Sequence, residues 1–400
     1  MKKIILTITA VLFVYSAAPA AVKFAPYYSL DVLEGVSLPS VGDWALSLNL
    51  VNDIGLMAKI DDENKLVGFY ELKYTGPGFR KEEGEKFSDR TMDHVFALRH
   101  QYNLRDNLTL ETQFDFMDEF KRTGANEVWG QGLYDFERIG VGFFINQKYS
   151  DMLSFNTSLQ YHTMAFPNYT DLLAEYQSGG ADIASSAGKQ NHIETQADAS
   201  VTYGANTATF EALLMNYSKQ KVIAGSVQAD GTYYKADLQQ DSLITIGASR
   251  NQKFWNAILL APSVAYKIKS SNQNFQYFTT SVSSVPVQFY GHYYDYNELD
   301  FSVPTTLLLA TKWEYFLNFE WDMRNYVSRP PQDASGNFVS GKQDNNIFIW
   351  GTGFTFKPNP VTRTTLFYQY QGQTSTMKFE KYFPYNYDGH FFGINFNYSY

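Results

Sequence analysis

The chain alternates apolar and polar residues with period two over long runs. In "LTLETQFDFMDEF", Leu108, Leu110, Phe114, Phe116 and Phe120 share one parity, and Glu111, Gln113, Asp115 and Glu119 share the other. In "KWEYFLNFEWDMRN", Trp313, Tyr315, Leu317, Phe319, Trp321 and Met323 alternate with Lys312, Glu314, Asn318, Glu320, Asp322 and Arg324. "HIETQADASVTY" and "TLFYQYQG" repeat the arrangement, and the last stretch sets Phe392, Ile394, Phe396, Tyr398 and Tyr400 against Gly393, Asn395, Asn397 and Ser399. Successive side chains of a strand point to opposite faces, so each run predicts a strand with one greasy and one wet face. The runs last about 10 to 14 residues, against about five or six in a globular strand, and suit a tilted strand crossing a bilayer.

The connections fall into two alternating kinds. Tight links are "DDENK" (61–65), "LRDN" (104–107), "QKYSD" (147–151), "GANT" (204–207) and "KPNP" (357–360). Long polar links cover 75–89, 121–132, 166–190, about 218–240, 327–344 and 375–388. Short turns at one rim and long loops at the other describe an up-and-down antiparallel barrel with periplasmic turns and extracellular loops. Strict alternation gives about 18 strands, with 16 or 14 as alternatives. The softest regions are the first hairpin and the span from Ser281 to Thr311, where Pro286 and Pro304 intervene, since proline sits mainly at strand ends or bulges. Whether residues 21–42 form a strand or a plug stays open. No linker divides the chain, so residues 21–400 read as one barrel.

The beginning of the chain points to export. Lys2 and Lys3 precede an apolar stretch from Ile4 to about Ala18, followed by Ala18-Pro19-Ala20, the layout of a signal peptide over residues 1–20. The apolar run, about 15 residues, is short of the roughly 20 that a helical span needs. The chain has no cysteine, which removes disulfides and thiolate chemistry. Aromatic residues reach 17%, yet only 18% are charged and mean hydropathy is mildly negative. Strands that average a greasy and a wet face produce that mixture.

With no second apolar run of helical length, a closed transmembrane β-barrel is the spanning structure left, because lipid satisfies no backbone polar group. A secreted sandwich or propeller would need shorter strands and an aliphatic core. Here the apolar parity is rich in rings, and Trp44, Tyr74, Trp313, Tyr315, Tyr326, Tyr368 and Tyr370 suit aromatic girdles at the two interfaces. On these features the chain resembles a Gram-negative outer-membrane β-barrel of porin type. Its final strand is similar to that class's C-terminal signature, with Ile394, Phe396, Tyr398 and Tyr400 matching and Tyr in place of the more frequent Phe. The resemblance implies the cell outer membrane, contact with lipid and lipopolysaccharide, recognition by the barrel-assembly machinery and pairing of the last strand with the first. A homotrimer stays open, and no nucleic-acid partner is expected.

If the aromatic parity faces lipid, the other lines the lumen. There Glu111, Asp115, Glu119, Glu194, Asp198, Glu314, Glu320 and Asp322 outnumber Lys121, Lys312, Arg324 and Arg363, in line with the net charge of −9. Acidic rings favour cations. Glu111, Asp115, Glu119, Glu314, Glu320, Asp322 and Arg324 are therefore the candidate lumen and selectivity residues, with Glu111, Asp115 and Glu119, spaced by four along one strand, the leading column. Loop 166–190, or loop 327–344 with Pro330-Pro331, is a candidate constriction. No HExxH or GxSxG stretch is present. The six histidines fit no nucleophile motif, so no enzyme, cofactor or metal is expected. The reading is a passive channel for small hydrophilic solutes, weakly preferring cations. The alternatives are a non-conducting structural or adhesin barrel working through its loops, and a carrier for hydrophobic solutes using inward rings such as Phe69 and Phe367.

Overall fold

The computed structural model describes residues 22–77, 89–123, 127–169, 188, 190–218, 238–277, 288–381 and 384–400. Among these residues there is no helix; the regular structure is strand throughout. The segment read as a signal peptide, and most of loop 166–190, lie outside the described residues.

Nine long strands open the chain, each antiparallel to the next: β1 (Lys23–Pro39), β2 (Ala45–Lys59), β3 (Asn64–Pro77), β4 (Arg90–Arg105), β5 (Leu108–Arg122), β6 (Phe136–Lys148), β7 (Leu153–Ala165), β8 (His192–Tyr203) and β9 (Asn206–Tyr217). The tenth stave is β10 (Gln240–Arg250) continued by β11 (Gln252–Phe254), and the eleventh is β12 (Ile258–Leu260) continued by β13 (Ser263–Ser271). A small hairpin, β14 (Phe275–Tyr277) with β15 (Gln288–Tyr290), stands apart from the main sheet. The twelfth stave is β16 (Tyr296–Ser302) continued by β17 (Thr305–Ala310). Then come β18 (Trp313–Tyr326), β19 (Asp344–Asn359), β20 (Thr362–Ser375) and β21 (Tyr387–Ser399).

The wall therefore has sixteen staves. The expected count of about 18 falls to the alternative of 16: in the soft span, whose residues 281–287 lie outside the described residues, 296–310 supply a single stave. Pro262 and Pro304 explain the broken appearance of this sector: proline has no N–H to donate, so regular strand pairing is interrupted beside each. The ladder itself continues, with Ala261 N–H donating to Pro304 O (3.0 Å) and Val303 N–H donating to Phe319 O (2.8 Å). Residues 23–39, where strand and plug were both open, are the first stave.

Closure is made by β1 and β21, paired from Ser29↔Ser399 to Pro39↔Gly389. Tyr28 and Tyr400 exchange both backbone bonds, at 3.0 and 2.8 Å. Inside the seam Asp31 accepts the side-chain amides of Asn395 (2.7 Å) and Asn397 (3.2 Å). Both ends of the described chain sit at the rim that carries the short turns, and the long loops occupy the other rim.

Burial is inverted relative to a soluble protein. Outward side chains such as Phe114 (55% exposed), Leu366 (60%) and Trp313 (46%) make much of the outer face apolar, whereas Asp115, His162, Glu298, Asn345 and Thr355 are buried on the inner wall. A sealed ladder with a greasy outside and a polar inside is the solution that a bilayer permits. The chain is a closed, up-and-down antiparallel β-barrel with the face pattern of a membrane-spanning one. Tyr326 departs from its expected place in the lipid girdle: it shares parity with Asp322 and Arg324, faces inward and lies under the Arg329 guanidinium, 4.9 Å from its ring centre.

Candidate functional site

The candidate site is the charged inner wall. Around the ring β5 is the fifth stave and β18 the thirteenth, eight apart in sixteen, so the two expected acidic columns stand on opposite walls. All seven candidate residues share the inward parity of their strands. Their surroundings divide them sharply.

On β5, neighbours in the column are about 13 Å apart at the usual strand rise of about 3.3 Å. Glu111 accepts the Asn146 amide (3.0 Å), and the Arg99 guanidinium lies 3.4 Å from its carboxylate. Asp115, 2% exposed, meets Arg138 at 3.2 Å, with His162 Nε2 3.7 Å away. Gly140 makes this approach possible, since a Cβ there would fall 2.2 Å from the His162 ring and 2.7 Å from the Asp115 carboxylate. Glu119 differs. It has no hydrogen bond or ion pair among the described residues and lies directly across the ladder from Asp93. Lys73, on the other side of Asp93, gives its ammonium to Glu71 at 2.9 Å.

The opposite wall has the same division. Glu314 is paired with Lys357 at 2.5 Å, and Arg324 with Glu298. Lys267 bridges Glu298 (2.9 Å) and Asp300 (2.5 Å). Glu320 accepts only the Asn318 amide (2.6 Å) among the described residues. Asp322 meets no cation and accepts no hydrogen bond among them, and it sits directly across the ladder from Asp300.

Two cross-strand carboxylate pairs thus face each other: Asp93/Glu119 on the fourth and fifth staves, and Asp300/Asp322 on the twelfth and thirteenth. Directly opposed side chains have Cβ atoms about 5 Å apart, and like charges there destabilise the sheet. Sequence reasoning named one member of each pair and missed Asp93 and Asp300. Their parity was readable; their partners depend on register. On one side that register passes a bulge at Asn103/Arg105, and on the other the break at Pro304 and a bulge at Leu308/Ala310.

Inward rings keep to the wall. Tyr27 lies over Gly55 and Phe391 over Gly35, so that a Cβ on either glycine would come within 1.9 or 2.3 Å of a ring carbon. At the loop rim, segment 327–343, within the second candidate constriction (327–344), is folded and docks on residues 376–381 and 384–386. Lys378 N–H donates to Gln332 O at 2.8 Å, and Met377 is 1% exposed. On the opposite wall, in the connection between β5 and β6, burial pushes the Asp135 carboxyl up from its ordinary range, although it accepts the backbone N–H groups of Lys121 and Gly132.

No protein-family profile and no curated sequence matches this chain. Among solved structures it is similar to OmpT, an outer membrane protein of Vibrio cholerae in trimer form, with 14% identity over 95% of this chain and 100% of that one and a TM-score of 0.47. It is similar to a bacterial polysaccharide outer membrane secretin, with 10% identity, 94% and 97% coverage and a TM-score of 0.45. The P. putida toluene transporter TodX gives 9% identity, 96% and 91% coverage and 0.37. At such identities and scores nothing about activity passes to this chain.

The split between neutralised and unneutralised carboxylates makes a measurable difference. Glu119→Gln combined with Asp322→Asn is expected to lower the cation-to-anion permeability ratio, read from reversal potentials across a salt gradient. Glu111→Gln should change it by less than about twofold, because its charge is already shared with Arg99. The reverse ranking would mean that the ion-paired part of the column sets selectivity.

Proposed function

We propose that this barrel is a passive channel for small hydrophilic solutes with a weak preference for cations. The observation that carries the reading is a pair of cross-strand carboxylate dyads on opposite walls of a sixteen-stave barrel, in which Glu119 and Asp322 lack a cation among the described residues. Barrels of 16 to 18 strands are wide enough to leave an aqueous lumen, and acidic rings in a pore raise the local concentration of cations. The chemistry asked of the wall is electrostatic: water-filled passage, filtered by width and charge, without covalent steps or a cofactor. The working surroundings would be small solutes in the lumen, lipid and lipopolysaccharide on the belt, and the barrel-assembly machinery during insertion. Planar-bilayer recording of the refolded chain should give discrete conductance steps, and proteoliposomes should swell in small sugars and progressively less in larger ones. A folded barrel that neither conducts nor swells would favour a structural or adhesin role for the loops.

The outer face of β1–β6 supports a second part of this reading, a homo-oligomer. Its outward column carries Glu34, Asn52, His94, Asp118 and Glu137. The outward columns of β7, β8, β18 and β20 hold no charged side chain. Within the polar face Asn52 donates to Tyr28 Oη (2.9 Å), Tyr70 Oη and His94 Nδ1 are 2.7 Å apart, and Asp118 lies across the ladder from both His94 and Glu137. Charge on a lipid face is unfavourable in a depth-dependent way, and a second copy of the chain would take these groups out of hydrocarbon. Cross-linking in native membranes is expected to build a ladder ending at a trimer. Gly68→Trp adds a ring where a Cβ would meet nothing nearer than Leu98 at 3.9 Å, so it should reduce the ladder to monomer and leave single-pore conductance intact. Monomer alone in unmodified membranes would refute the assembly.

A further inference from the structure

A cavity of about 390 Å³ opens on the inner wall where β16, β18, β19 and β20 meet loops 327–343 and 376–386. Its lining holds Asp322, Arg329, Tyr326, Tyr385, Asn345 and Gln373, beside the Glu298–Arg324 ion pair. That volume falls within the about 300–1,000 Å³ typical of small-molecule sites.

Two opposite charges in this one cavity lack protein counter-charges. The Arg329 guanidinium lies over the rings of Tyr293 (4.7 Å) and Tyr326 (4.9 Å) and donates from Nη2 to Tyr385 Oη at 3.2 Å. Its Nε is buried without an acceptor, and no carboxylate pairs with it among the described residues. Burial pushes the Tyr293 phenol up to about 12, so the platform under the cation stays neutral. On the strand wall, Asp322 has no cation, as described above. A third group points the same way. Gln373 is only 8% exposed, and its amide makes no hydrogen bond among the described residues. The Asn345 oxygen is occupied by Gln343 Nε2 (3.1 Å) and Ser375 Oγ (2.7 Å), which orients its amide nitrogen elsewhere.

We propose that this cavity binds a zwitterionic solute of amino-acid or short-peptide type, its ammonium against Asp322, its carboxylate against Arg329 and a peptide group against the Gln373 amide. A simple cation would leave Arg329 uncompensated, and a simple anion would leave Asp322 so. Only a solute carrying both charges answers both, and charge-assisted hydrogen bonds are the strong ones. The site rests on the channel reading and refines it by naming a solute class; it sits where segment 327–343 meets the strand wall.

The test is equilibrium binding, which does not require conduction. Calorimetric titration of the refolded, detergent-solubilised chain would use alanyl-alanine, its N-acetyl derivative (no ammonium) and its C-terminal amide (no carboxylate). The unblocked dipeptide is expected to bind best, each blocked form about tenfold more weakly. Asp322→Asn should erase the discrimination against the acetylated form alone, and Arg329→Gln that against the amide alone, with heat-modified gel mobility checking that each variant is folded. Equal binding of the three compounds, or no binding of the dipeptide by folded protein, overturns the proposal. Channel recording on the same sample separates the two readings: conduction without dipeptide binding defeats the site and spares the channel. Binding without conduction does the opposite.

Discussion

Inside a hydrocarbon layer each peptide N–H and C=O must find its partner within the protein, because no water is there to replace it. For strands this demand is met only by a ring without edges, and the bonds between β1 and β21 are where the ring becomes one. The Tyr28–Tyr400 exchange and the Asp31 contacts to Asn395 and Asn397 hold that seam from the backbone and from the lumen side. The same demand explains how Pro262 and Pro304 are absorbed. Each lies beside a ladder bond, carried by Ala261 or Val303, so the wall stays continuous.

Once the ring is closed, alternation does the rest. Residues of one parity dissolve the outside in lipid, and those of the other build a polar interior whose groups answer one another. Part of the inner charge is neutralised locally: Glu111 by Arg99, Asp115 by Arg138, Glu314 by Lys357 and Glu298 by Arg324 and Lys267. Glu119 and Asp322 are not: each is opposed by another carboxylate, as Asp198 and Glu211 are by one another, and each lacks a cation among the described residues. Cross-strand like charges weaken a sheet. Their presence on opposite walls makes sense if the field they create in the lumen is what the wall is for.

Much of this was legible in the amino-acid order. Period two in β5, β8, β18, β20 and β21 marked the strands, their faces and the inward acids, because one residue of slip would turn every side chain to the wrong solvent. The tight links marked one rim. What escaped had a common cause, namely that single-strand patterns say nothing about which residue lies across the ladder. Asp93 and Asp300 became visible as partners only with register, and register runs through bulges that a count from the turn does not see. The stave count slipped for a related reason, since proline makes one interrupted strand look like two. Tyr326 was assigned by residue type to the lipid girdle, although its parity with Asp322 and Arg324 already turned it inward. Arg329 lies in a loop, where no periodicity reports direction.

The central claim is that the Asp300/Asp322 wall borders an open, water-filled lumen. The chain contains no cysteine, so a single introduced thiol has no background. Asp322→Cys and Met323→Cys would each be recorded as single channels while a bulky, water-soluble, positively charged thiol reagent is added. The account predicts a stepwise loss of current and of cation preference at position 322, and no change at the adjacent, lipid-facing position 323. Modification that leaves the current at 322 untouched, or that acts equally at 323, would contradict it.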